Sequence, residues 1–92
     1  KYKYATMDSQ YEGIDKRLNN VFKSTVLSVD KAENILVVKT LSGAAQICAM
    51  AIDNLKIEGV VGTIAGEDTI FVAVKDKNYI NSVHLEIKEL LK

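Results

Sequence analysis

The sequence predicts an α+β fold: a two-layer sandwich in ββαββα order, with a four-stranded antiparallel sheet covered on one face by helices and an extra N-terminal helix. Three observations lead there. Three stretches carry apolar residues at helical spacing, four short stretches are rich in β-branched residues, and they follow one another as a helix, then two strands and a helix, twice. The 92 residues, 48% hydrophobic and 26% charged, suffice for one hydrophobic core and leave no room for a second.

Residues 1–10 are polar and tyrosine-bearing without a clean period, and read as an interdomain linker arm; residues 11–92 read as the domain. From Tyr11 to Thr25 the apolar positions Ile14, Leu18, Val21 and Phe22 form one helical stripe. Thr25 to Val29 is a short β-branched run, Asp30 to Asn34 a polar turn cluster and Ile35 to Thr40 a second β-rich run, together an antiparallel hairpin. Gly43 to Leu55 changes period, with Ala44, Ile47, Cys48, Ala51, Ile52 and Leu55 on one stripe and Ser42 as the expected N-cap. Val60 to Ala65 and Thr69 to Lys75 are two more strands joined at a tight turn, and Tyr79 to Leu91 places Ile80, Val83, Ile87, Leu90 and Leu91 along a last helix.

Charge and cysteine content narrow the function. Twelve Lys and Arg balance twelve Asp and Glu, so no basic field exists to attract a phosphate backbone, and direct nucleic-acid binding by this stretch is disfavoured. A single cysteine, Cys48, excludes an intrachain disulfide and suits a reducing, cytoplasmic setting. No apolar run approaches the roughly 18 residues of a membrane span. His84 is the only histidine and falls beside the apolar stripe of the last helix, where edge packing explains it. With no base placed by spacing near Cys48, Ser42 or Thr63, catalysis has nothing to build on, and no cofactor is implied.

Two features stand out against this background. The helix from Gly43 has a hardly polar second face: no residue between Thr40 and Asp53 is charged, and that face shows Gln46, Ala49, Met50 and Asp53. Gln46 and Asp53, seven residues apart, share a face about 10 Å apart along the axis. Such a face fits an oligomer contact or the floor of a ligand site; burial on both sides of a monomer core is the alternative. The second feature is the run Gly62-Thr63-Ile64-Ala65-Gly66-Glu67-Asp68-Thr69, a strand and a glycine turn that ends in two adjacent acids. Gly66 permits a positive φ, and neighbouring carboxylates repel unless a cation or donors compensate. A guanidinium, planar and with five N–H donors, matches paired carboxylates; an ordinary solvated acidic turn is the plain alternative, and a divalent cation would lack oxygen ligands.

Leu41-Ser42-Gly43-Ala44-Ala45-Gln46, then Asp53, then the run from Gly62 to Thr69 resemble the C-terminal domain of bacterial arginine repressors, over a stretch from about Val21 to the end. The resemblance implies a domain that forms homotrimers, stacks two of them into a homohexamer and binds L-arginine as corepressor between the trimers. Operator DNA would be read by an N-terminal winged helix-turn-helix that is absent from this chain. By position, Gln46 and Asp53 would hold the α-carboxylate and α-amino end of arginine, with backbone around Thr63 and Ala65. Glu67 and Asp68 would receive the guanidinium from different subunits. Two residues depart from the family pattern: Ser42 stands where proline is usual, and Glu67 where the family usually has aspartate. The rival readings are a domain of this fold with another small-molecule ligand, a purely structural oligomerisation domain, and a relative of the histidine-dependent pterin dehydratases, which the lone His84 disfavours.

Overall fold

The computed structural model describes residues 16–92, and these form the predicted α+β sandwich. A helix over residues 16–25 (α1) is followed by β1 (Val26–Ala32), β2 (Ile35–Thr40), α2 (Ala45–Leu55), β3 (Val60–Ala65), β4 (Thr69–Val74) and α3 (Ile80–Leu90). The four strands make one antiparallel sheet in the order β1-β2-β4-β3, so β1 and β3 are its edges. The linker arm, Ile14 and the expected start of the first helix at Tyr11 lie outside the described residues.

Alternation along the central strands builds the core. Leu36, Val38 and Thr40 on β2 and Ile70, Val72 and Val74 on β4 are buried on the face that carries the helices. Against them pack Leu18 and Phe22 of α1, Cys48, Ala51 and Ile52 of α2, and Ile80, Val83 and Ile87 of α3. Among the described residues no helix covers the opposite face of the sheet. There Phe71 is 50% exposed and Ile64 74% exposed, beside the exposed Lys39 and Thr69 at half-burial.

Four local expectations are corrected. The first strand runs on to Ala32 and leaves only Glu33 and Asn34 as the turn, because Glu33 adopts φ 57° and lets Lys31 and Ala32 pair with Leu36 and Ile35. An irregularity in register between Val26 and Ser28 accommodates the adjacent Val26 and Leu27, and Leu27 is left exposed. The stripe of α2 is rotated: Ala45 and Ala49 are buried, whereas Ile47 and Leu55 are exposed at its margins. Helix α2 also begins two residues after Gly43, with Ala44 at the N-cap, and Ser42 does not cap it. Gly43 takes φ +85° and turns the chain, and the Glu67 carbonyl accepts from the N–H groups of Gly43 (2.9 Å) and Ala45 (3.4 Å). A tertiary acceptor thus replaces the local cap.

Candidate functional site

The acidic turn is held in place through its backbone. Gly66 N–H donates to the Thr69 carbonyl at 2.8 Å, closing the connection between β3 and β4. Thr40 N–H donates to the Asp68 carbonyl at 2.8 Å, and the Glu67 carbonyl binds the start of α2 as described. The turn is therefore sewn to the segment between β2 and α2 whatever its side chains do. Gly66 is not among the residues with positive φ, contrary to expectation, and a Cβ there would lie 3.7 Å from the Thr69 carbonyl oxygen, an ordinary contact. Its lack of a side chain matters instead as open space beside the turn.

That space is a cleft of about 370 Å³ lined by Gly43, Gln46, Ala65, Gly66 and Glu67. Gln46 reaches it from the first turn of α2, Ala65 from the end of β3 and Glu67 from the acidic turn. The Glu67 carboxylate stands near the N-terminal end of α2, where the helix dipole favours negative charge. Ser42 Oγ donates to Glu67 Oε2 at 2.9 Å. Further along the seam between α2 and β3, Thr63 Oγ1 lies 3.0 and 3.2 Å from the two carboxylate oxygens of Asp53, to which it donates. Thr63 points toward α2 because it pairs with the inward-facing Val72.

Asp68 goes elsewhere. Its Oδ1 accepts from Thr69 Oγ1 at 2.9 Å, and Thr69 Oγ1 in turn accepts from Lys39 Nζ at 2.9 Å, a chain on the open face of the sheet. Of the six expected site residues, Gln46, Ala65 and Glu67 meet at one cleft, and Asp53 and Thr63 pair about two helical turns along the same seam. Asp68 follows Glu67 in sequence but does not line the cleft. Gly43 lines the cleft without having been singled out as a site residue, and Ser42 reaches it only through its bond to Glu67. Lys39 was legible in principle, since strand alternation sets it opposite Thr69.

Chemically the cleft offers a carboxylate, an amide and open backbone, a set that suits a ligand rich in N–H donors. Among the described residues no group of three or more His, Cys, Asp or Glu could hold a metal ion, and no helix is long and apolar enough to cross a membrane. His84 sits on α3 with Nε2 3.4 Å from the Val29 carbonyl, packed at the helix edge as expected.

Comparison with known proteins places these features in a family context. The family model described as the arginine repressor C-terminal domain matches residues 22–89. The chain is 48% identical over 91 residues to an arginine repressor of Alkaliphilus metalliredigens, covering 99% of this chain and 61% of that protein. It is 46% identical over 92 residues to one of Alkaliphilus oremlandii, covering 100% of this chain and 62% of the relative. With one of Caldicellulosiruptor saccharolyticus it shares 42% identity over 91 residues, 99% of this chain and 60% of that protein. The chain thus spans about three fifths of the length of the curated relatives it matches.

Proposed function

The chain belongs to the family of arginine repressor C-terminal domains, and from that premise we propose that it is the effector-binding and assembly part of a cytoplasmic transcriptional regulator, with L-arginine as its corepressor. The reading is regulatory and not enzymatic. Operator DNA is bound by a separate N-terminal region, which agrees with the balanced charge of this chain.

The observation that carries the reading is the convergence of Gln46, Ala65 and Glu67 on one open cleft, continued along the seam by the pair of Asp53 and Thr63. In the proposed complex Glu67 faces the guanidinium, a charge-assisted pairing stronger than a neutral one. Gln46 takes the α-carboxylate through its amide N–H, and Asp53, oriented by Thr63, takes the α-ammonium; backbone at Thr63 and Ala65 completes the site. Asp68, turned onto the open sheet face, serves the arginine of a neighbouring subunit. The apolar groove beside it, about 370 Å³ and lined in part by Val61, Ile64 and Phe71, supports assembly of copies into trimers and of trimers into a hexamer. Ligand bridging subunits then stabilises the assembly by mass action, and linked DNA-reading regions gain effective concentration.

Isothermal titration of the protein with L-arginine, and with L-citrulline as control, tests this. Citrulline carries a neutral urea and cannot form the ion pair. Arginine heat without citrulline heat supports the corepressor site; equal heats, or none from arginine, refute it. Asp68→Asn is expected to abolish the arginine response while the circular dichroism spectrum is retained, and unchanged arginine affinity in that variant would remove Asp68 from the site.

A further inference from the structure

The Glu67 carboxylate is solvent-exposed on a long side chain, yet it is tied by one oxygen. We propose that Ser42 is a positioning residue for it: the Ser42 hydroxyl holds Oε2 and leaves Oε1 free at the lip of the cleft, preset for a cationic ligand. The inference deepens the arginine reading and rests on it for the identity of that cation.

Three observations support the role. The carbonyl of Glu67 accepts from Gly43 and Ala45, so backbone bonds independent of both side chains bring the two residues together. Ser42 Oγ then needs no search to meet Oε2 at 2.9 Å. The hydroxyl is also free for this, since α2 is capped at Ala44 without any side-chain bond. Glutamate loses more side-chain freedom on being fixed than a shorter acid does, and a local donor that orders it beforehand removes part of that loss from binding. The Ser42 hydroxyl occupies one of the lone-pair sites of the carboxylate, so Glu67 keeps acceptor sites for the N–H donors of a guanidinium.

The test combines titration and structure on the intact protein. Ser42→Ala should weaken L-arginine binding about three- to tenfold, the scale of ordering one rotamer-rich side chain. Ser42→Thr, which keeps the hydroxyl, should restore it. In a Glu67→Ala background Ser42→Ala should have no further effect; an additive loss there would mean that Ser42 meets the ligand directly and would overturn the positioning role. Unchanged arginine affinity in Ser42→Ala would overturn it as well. Crystal structures of ligand-free wild type and Ser42→Ala supply the readout that needs no ligand. A single Glu67 conformer bonded to Ser42 in the wild type, and dispersed density in the variant, supports the role even if arginine fails to bind, which would refute the arginine reading alone. A Glu67 side chain unbonded to Ser42 in the wild type overturns the role in either case.

Discussion

Cys48 lies fully buried on α2, its Sγ 3.0 Å from Thr25 Oγ1, which also donates to the Val21 carbonyl at 2.6 Å. Burial pushes the thiol above its ordinary pKa, and the hydrogen bond to Thr25 opposes this only in part. The residue therefore joins α1 to α2 as packing and not as a nucleophile. In the native protein it should react with an aromatic disulfide reagent more slowly than in denaturant, on the order of a hundredfold or more, because the thiolate must form in a closed site. Rapid native reaction would contradict that burial. The same scale explains what was and was not legible in the candidate site. The residue types at Gln46, Asp53, Glu67 and Asp68 announced acceptor chemistry, but the direction of each carboxylate did not follow from type: Asp68 turns to Thr69, Glu67 to Ser42 and Asp53 to Thr63.

Between α2 and β3 the chain reverses through Lys56 at φ 50° and Gly59 at φ +95°. Gly59 also lies under Tyr79, the N-cap residue of α3, and a Cβ there would fall 2.7 Å from its ring carbons. Gly59→Ala therefore combines left-handed strain with overlap, and should cost about 2 kcal/mol or more in urea unfolding. Gly66→Ala, without either problem, should stay within about 0.5 kcal/mol. Near-equal losses at the two sites would show that the Tyr79 ring yields freely. The elements themselves were legible because helical period and β-branched composition mark helices and strands, although the buried stripe of α2 is rotated from the one its period indicates. Their ends were not: the capping acceptor for α2 is the carbonyl of Glu67, more than twenty residues along the chain, and β1 continues through polar residues because it is an edge strand facing solvent.

At the scale of the whole molecule, helices cover one face of the sheet, and among the described residues the other face carries no helix, with Val61 73%, Ile64 74% and Phe71 50% exposed. A contiguous apolar surface of this kind marks an interface. If copies of the chain cover it, as proposed, Phe71→Lys places a charge in each contact, and sedimentation should show a fall from hexamer or trimer to monomer with secondary structure retained. An unchanged assembly would place the contact on another surface. Phe71 is suited to the test because its side chain points away from the core formed by its neighbours Ile70 and Val72.

The class of fold, the order of its elements, the balanced charge and the residue types of the site all follow from the chain read in one dimension, because each depends on local period or composition. Which acid lines the cleft, which faces the open sheet, and what satisfies the start of α2 depend on residues distant in the chain being brought within about 3 Å, the range over which hydrogen bonds act. Ser42 and Glu67, or Asp53 and Thr63, become partners only when the acidic turn is sewn against α2. That meeting is a property of packing, and spacing along the sequence carries no record of it.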